Sequence, residues 1–249
     1  MFPVICHIGH FPLHSYGLML ALAIVVVSWS LSRRAARAGI APHIVNDLIF
    51  WVVIGGIIGA RIFYIGLDAR FFLANPLDML MIWKGGLAWQ GSLLAGFVCG
   101  VIFIRHKKLP LRLMLDLVAP HIALGQAIGR IGCFLQGCCY GKPAAWGLFF
   151  PVWGEKLVPV QLFMVAGQLA IYGALSVLSR RALRRGQIFI WYLMLASAER
   201  FTVEFFRADH LILAGGLSIF QYICVGIFIA ATLLNIWLCR KDRSPCLPG

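Results

Sequence analysis

Apolar residues gather into long runs broken by short polar or cationic stretches. A bilayer core asks for about 20 apolar residues per helix, so the runs predict seven membrane-spanning helices. They lie near residues 16–31, 47–67, 87–104, 113–131, 158–178, 186–206 and 217–239. Between the second and third runs, "DARFFLANPLDMLMIWKGG" is too interrupted by Pro76 and by charges to span, and reads as a re-entrant or interfacial segment. There is no internal repeat, low-complexity tract or soluble domain. The pattern therefore predicts an all-α polytopic membrane protein in which residues 1–249 form one membrane domain, with its longest outward connection at 132–157.

Composition agrees. With 61% hydrophobic and 12% charged residues and a mean hydropathy of +0.88, the chain is far from the make-up of a soluble domain. The net charge of +13 does not call for nucleic acid, because the cations form neither one basic face nor a pattern interleaved with stacking aromatics. They cluster in alternate loops: Arg33, Arg34 and Arg37; Arg105, Lys107, Lys108 and Arg112; Arg180, Arg181, Arg184 and Arg185; and Arg240, Lys241 and Arg243. Cations of this kind stay on the cytoplasmic side, which puts the N-terminus outside and the C-terminus inside. The first residues, "MFPVICHIGHFPLHSYG", hold no Lys or Arg, so the n-region of a cleavable signal peptide is missing and the first run is read as a retained helix. His7, His10 and His14 lack partners at metal-ligand spacing. No metal or cofactor is expected.

Charges within the apolar runs carry the chemistry. An ionised side chain at a helix centre costs at least about 2.5–3.5 kcal/mol on insertion scales, so it is kept where it faces a partner or a polar cavity. Arg61 sits in "GGIIGARIFY", Arg130 at the outer end of the fourth run, and Glu199, Arg200, Glu204 and Arg207 in "SAERFTVEFFRADH". Arg200, Glu204 and Arg207 are four and three apart, which stacks them on one face with the carboxylate between two cations. Either they form a salt-bridge ladder anchoring a helix end or, with Arg130, an anion site. A guanidinium suits the latter because its planar fork matches phosphate oxygens and it stays charged when desolvated. Gly55, Gly56, Gly59 and Ala60, and likewise Gly125 and Gly129, offer surfaces where helices approach closely. Asp116, at the inner end of the fourth run, is expected to pair with a loop cation.

Of eight cysteines, Cys99, Cys224 and Cys239 lie in apolar runs and read as small hydrophobes. Cys133, Cys138 and Cys139 in "GRIGCFLQGCCYGKP" form a cluster with three readings. A bridge from Cys133 to Cys138 or Cys139 would staple the loop in an oxidising space; the same thiols could exchange disulfides; or Cys138, close to Arg130, could be a nucleophile.

In chain order, "SYGLMLALA", "GGIIGARIFY", "IWKGGLAWQGSLLAG", "GRIGCFLQGCCYG", "VPVQLF" and "ERFTVEFFR" resemble the successive motifs of the prolipoprotein diacylglyceryl transferases. The resemblance covers nearly the whole chain. It implies a seven-helix protein of the bacterial inner membrane that moves diacylglyceryl from phosphatidylglycerol to a lipobox cysteine, its partners being phosphatidylglycerol, a prolipoprotein and the membrane. Arg130, Gly132, Phe134, Gly137, Gly141, Arg200, Glu204 and Arg207 keep their places in the motifs. The departures are Gln90 where the family has a histidine, and Cys133, Gln136 and Cys138 where its signature has Asn, Asn and Glu. The fold inference is untouched by these changes; the activity could instead use another acceptor, or be replaced by phospholipid binding or thiol redox chemistry.

The implied reaction is attack of a thiolate on a glyceryl carbon with loss of glycerol phosphate. It requires charge neutralisation at the leaving phosphate and a deprotonated thiol. The resemblance gives Arg130 and Arg200 to the phosphate and Glu204 to the orientation of Arg200, with Gln90 and Cys138 at the two altered catalytic positions. Gln90 cannot take a proton. Tyr16, Arg61, Gly132, Gly137, Gly141 and Arg207 would shape or contact the lipid headgroup.

Overall fold

The computed structural model describes residues 2–8, 11–81, 85–181, 183–208 and 216–241; the side chains of His7, Ile8, Phe11, Pro12, Ala74 and Lys241 are not described. His10 and Arg243, and Trp83 and Lys84 of the third-helix motif, lie outside the described residues. The long helices are α1 (Ser15–Arg37), α2 (Pro42–Leu67), α4 (Trp89–His106), α5 (Leu111–Gln136), α6 (Val160–Leu178), α7 (Gln187–Glu204) and α8 (Ile219–Lys241), and the short α3 (Ala69–Ala74) follows α2. Five of them, α1, α2, α5, α6 and α8, are long and apolar enough to cross a membrane by length and composition. Their outward faces stay apolar: Val25 is 65% exposed, Ile62 64% and Leu233 61%, the exposure expected of side chains whose solvent is lipid.

The apolar runs fixed these helices; the ends moved for local reasons. Helix α2 starts five residues before its apolar run because Pro42, which lacks an N–H, suits the first turn. Helix α5 continues past the run, from Gly132 to Gln136, so the expected connection at 132–157 begins at Gly137. That connection holds an antiparallel pair, β3 (Pro143–Phe150) with β4 (Glu155–Leu157), and a second pair, β1 (Val4–Ile8) with β2 (Phe11–His14), precedes α1. Apolar periodicity alone predicted neither.

The chain divides into two compact units, residues 31–114 and residues 1–30 with 115–249. In the first, α2 packs on α4 with glycines on both faces: a Cβ on Gly59 would strike Ala95 and the Gly91 carbonyl, and one on Gly91 would strike the Gly59 carbonyl. After α3, a 3-10 turn at Pro76–Met79 occupies the interrupted segment.

In the second unit, Ala119 and Ala123 of α5, Ile171 and Leu175 of α6, and Ile188 and Tyr192 of α7 form one core. Val203 of α7 joins Val158, Val160 and Met164 in another. Asp116 departs from expectation. Instead of pairing with a loop cation, its carboxylate accepts the backbone N–H groups of Gly186 (2.5 Å) and Phe189 (3.0 Å), capping α7. A helix start exposes unsatisfied N–H groups and a partial positive charge, and a buried carboxylate answers both.

Candidate functional site

The site is built where the end of α5, the end of α7 and the start of α8 meet within the second unit. Helix α5 ends in a Schellman motif. Gly137 adopts φ 77°, the Cys138 N–H bonds the Cys133 carbonyl at 3.1 Å, and the Gly137 N–H bonds the Phe134 carbonyl at 3.2 Å. A glycine suits this left-handed position because it has no Cβ to clash. The motif folds the residue after the glycine back over the one four positions before it, so Cys138 comes to lie against Cys133. Cys139 then turns again, at φ 60°. The three Sγ atoms lie within 4.8 Å of one another.

Neighbouring side chains hold this loop. Trp153 Nε1 donates to the Gly137 carbonyl at 2.9 Å, and fully buried Gln161 of α6 donates from Nε2 to the Cys138 carbonyl at 2.6 Å. Gly141 pairs with Arg207 as an isolated antiparallel bridge, and Lys142 N–H donates to the Phe206 carbonyl at 2.9 Å. A Cβ at Gly141 would collide with that same Phe206 carbonyl. The loop after α5 is thus tied to the end of α7.

Glu204, 1% exposed, is the hinge of the charged set. Its Oε2 is paired with Arg200 and lies 4.0 Å from Arg207 Nε, and its Oε1 accepts from Ser218 Oγ at 2.9 Å. Ser218 opens α8 as half of a capping box: the Gln221 N–H donates to Ser218 Oγ (3.2 Å) and the Ser218 N–H to Gln221 Oε1 (2.9 Å). The guanidinium of Arg200 also sits 5.3 Å from the Phe220 ring centre. A carboxylate buried this way needs both cations, since an unpaired charge there would lose its hydration without return.

Arg130, on the last turns of α5, is half-buried and within electrostatic reach of Arg200, Glu199, Tyr16 and Cys139. Among the described residues no hydrogen bond or ion pair holds its guanidinium. Tyr16 is brought beside it by the packing of α1 on α5 at Gly132, where a Cβ would come within 3.3 Å of the Tyr16 ring. Arg130, Arg200, Glu204, Arg207, Tyr16, Gly132, Gly137, Gly141 and Cys138 therefore all belong to one unit.

Arg61 and Gln90 belong to the other unit. Buried Arg61 spends its donors on backbone carbonyls: Nε on Met79 (3.0 Å), Nη1 on Gly85 (2.7 Å) and Gly86 (3.0 Å), and Nη2 on Asp78 and Met81. Tyr64 and Phe72 flank it with ring centres 5.9 and 5.4 Å away. One guanidinium thus ties together the carbonyls of Asp78, Met79, Met81, Gly85 and Gly86. Gln90 is half-buried in the first turn of α4.

The thiols outside the helices differ in acidity. Hydrogen bonds from Cys133 and Cys138 hold the Cys139 thiol well below the usual thiol range, with the charges of Arg130 and Arg207 adding to the effect. The Cys138 thiol is pushed up by its hydrogen bonds to Cys133 and Cys139. Of the two, Cys139 is held the more acidic.

Sequence reasoning gave no role to two further residues. Glu199 takes a hydrogen bond from Gln168 Nε2 on α6, and Gly167 makes room for it, since a Cβ there would strike the carboxylate. The capping box at Ser218 was readable as "SIFQ" before an apolar run.

The chain's likeness to known proteins bears on this arrangement. Residues 3–237 match the family described as prolipoprotein diacylglyceryl transferase. The chain is 32% identical over 258 residues to the phosphatidylglycerol–prolipoprotein diacylglyceryl transferase of Synechococcus elongatus, covering 97% of this chain and 89% of that one. It is 34% identical to the protein of that name from Trichormus variabilis (98% and 92% covered) and 33% to that from Bordetella parapertussis (96% and 95% covered). With a family match running over residues 3–237 and relatives 32–34% identical along nearly all of its length, the chain belongs to the prolipoprotein diacylglyceryl transferase family.

Proposed function

We propose that this protein transfers diacylglyceryl from phosphatidylglycerol to the thiol of a prolipoprotein cysteine. The observation that carries the reading is the meeting of Arg130 from α5 with the Arg200–Glu204 pair of α7 inside one unit. Glu204 is shared by Arg200 and Arg207, so with Arg130 added the set keeps net positive charge for a phosphodiester.

In the reaction the acceptor thiolate attacks the glyceryl carbon that bears the phosphate. The carbon–sulfur bond forms, the carbon–oxygen bond breaks, and glycerol phosphate departs with the electron pair. Arg130 and Arg200 stabilise the negative charge that grows on the departing phosphate, and Glu204 fixes the Arg200 fork through Ser218 and Arg207. Tyr16 positions the headgroup. Gln90 has no useful acidity, so the thiol proton goes to another group. Glu199, held by Gln168 and within reach of Arg130, is the acceptor this reading assigns. Arg61 contributes within its own unit by holding the Asp78, Met79, Met81, Gly85 and Gly86 carbonyls, and Gly132, Gly137 and Gly141 contribute through the close approaches that shape the site.

The membrane arrangement belongs to the same proposal. Helices α4 and α7, at 18 residues each, add to the five apolar spans to make seven, with the N-terminus outside, the C-terminus cytoplasmic, and the connection after α5 on the outer face of a bacterial inner membrane. The clusters of Arg and Lys in alternate loops support this orientation. The whole chain then serves as one membrane domain.

Incubating the purified protein in detergent with labelled phosphatidylglycerol and a lipobox peptide tests the activity. A thioether-linked diacylglyceryl peptide is expected, and Arg130→Ala should slow its formation on the order of 100-fold or more. No lipidated peptide from the unaltered protein, or an undiminished rate in Arg130→Ala, overturns the reading.

A further inference from the structure

We propose that Cys133, Cys138 and Cys139 form a three-sulfur site for a thiophilic d10 cation of the zinc class, with a fourth position left for the incoming acceptor thiol. The second half of this statement rests on the transferase reading; the first does not.

The geometry comes first. Sulfurs about 2.3 Å from a common tetrahedral metal lie about 3.8 Å apart, and here all three lie within 4.8 Å of one another. Small side-chain rotations close that difference. A disulfide would instead join two sulfurs at about 2 Å and leave the third unused.

The backbone is arranged to produce this convergence. The glycine four places after Cys133 ends α5 and folds Cys138 back over it, and the next residue returns the third sulfur by adopting φ 60°. A side chain other than glycine costs about 1–3 kcal/mol in that region and stays there only when its surroundings over-determine it. Here the Trp153 and Gln161 donors fix the Gly137 and Cys138 carbonyls that precede it, and after it the Gly141 N–H bonds the Val158 carbonyl at 2.9 Å. A strained, externally braced turn carrying three soft ligands is what a preorganised metal site requires.

The ligand chemistry narrows the ion. Three thiolates select zinc-like or cuprous ions over magnesium or calcium, which take oxygen ligands. Their summed negative charge exceeds that of a divalent cation, and Arg130 and Arg207, both within electrostatic reach of Cys139, offset the excess. Cys133 is buried while Cys138 and Cys139 are half-buried, so an acceptor thiol would approach on the side of the latter two.

Three protein ligands plus one exchangeable position is the arrangement of a reactive rather than a purely structural zinc. A thiol that enters the fourth position is deprotonated by the metal charge. Its proton passes to Glu199, its electron pair forms the bond to the glyceryl carbon, the metal–sulfur bond breaks as the thioether forms, and glycerol phosphate leaves beside Arg130 and Arg200. No electrons are gained or lost overall. The cluster thereby supplies the thiolate that Gln90 cannot generate.

Full-length protein, purified in detergent under reducing conditions and stripped of metal, is titrated with Co(II) as a spectroscopic probe and with Zn(II) in competition. One equivalent should bind, giving thiolate-to-cobalt charge-transfer absorption and tetrahedral d–d bands, and Zn(II) should displace it. Cys133→Ser and, separately, Cys139→Ser should lose the bound equivalent while eluting as folded monodisperse protein; Cys239→Ser should keep it. Absence of a bound equivalent, retention in both cluster variants, or a disulfide among the three thiols in protein taken directly from cells overturns the site. Adding a lipobox peptide should then shift the d–d bands, and a peptide with serine in place of its cysteine should not. Transferase activity that survives complete removal of metal overturns the thiol-activating role and leaves the transferase reading standing.

Discussion

Ser218 donates its hydroxyl to Glu204 at 2.9 Å, which ties the first turn of α8 to the last turn of α7 through a side chain that also caps its own helix. One oxygen thus joins helix termination to the placement of the charged set, because Glu204 in turn holds Arg200 and faces Arg207.

Replacing Ser218 by alanine removes the N-cap acceptor and leaves Glu204 Oε1 buried without its donor. Loss of a cap costs about 1 kcal/mol, and an unsatisfied buried acceptor about 1–3 kcal/mol. Chemical denaturation in detergent should register a loss of about 1–3 kcal/mol, accompanied by slower transfer. Ser218→Thr, which keeps the hydroxyl, should recover most of both.

Arg200→Lys keeps the charge and loses the planar fork. Lysine cannot hold Glu204 and a phosphate oxygen in the same fixed geometry. The expected result is a fall in kcat/KM on the order of 100-fold, with binding of the lipobox peptide unchanged. Glu204→Gln should act in the same direction by releasing Arg200. Near-wild-type turnover by Arg200→Lys would mean that the headgroup needs only a diffuse positive charge.

The contrast between Arg61 and Glu204 shows how far the sequence could be read. Both stood out because ionised groups in apolar runs are costly, and both are buried. For Glu204 the partners at three and four residues are set by helix geometry, so its ion pairs were legible from spacing. Arg61 bonds carbonyls 17 to 25 residues away, and no local pattern encodes which backbone groups a loop will present. Asp116 is similar: its partners are N–H groups some 70 residues distant, and a nearby basic loop pointed the wrong way. The meeting of Cys133 with Cys138 was legible in principle, since a glycine four residues after the cysteine ends the helix and folds the chain back. The return of Cys139 depends on its own left-handed backbone, which its residue type does not favour.

The cap on α7 gives a test confined to stability. Asp116→Ala removes two hydrogen bonds and a negative charge from a helix start, which should cost about 1–2 kcal/mol. Asp116→Asn keeps an acceptor oxygen and should cost less. Because Asp116 lies at the opposite end of α7 from Glu204, the specific activity of the folded fraction should be unchanged in both variants. Were activity to fall while stability held, Asp116 would have a part in the chemistry that its two backbone partners do not suggest.

Gly137 offers the sharpest test of the turn after α5. It sits at φ 77°, its N–H and the next residue's close the helix end, and its carbonyl is fixed by Trp153 at 2.9 Å. A Cβ in this conformation costs about 1–2 kcal/mol, less for asparagine, which visits the left-handed region through local hydrogen bonds, and more for a β-branched side chain. Stability should therefore fall in the order Gly137, Gly137→Asn, Gly137→Ala, Gly137→Val. Loosening the turn also frees Cys133, which is 8% exposed in the intact site. Its alkylation rate in the reduced, metal-free protein should rise along the same series, measured by peptide mapping, while Cys224 on α8, 6% exposed and outside the turn, should label at a constant slow rate. A series in which Cys133 and Cys224 quicken together would indicate global unfolding rather than an opened turn.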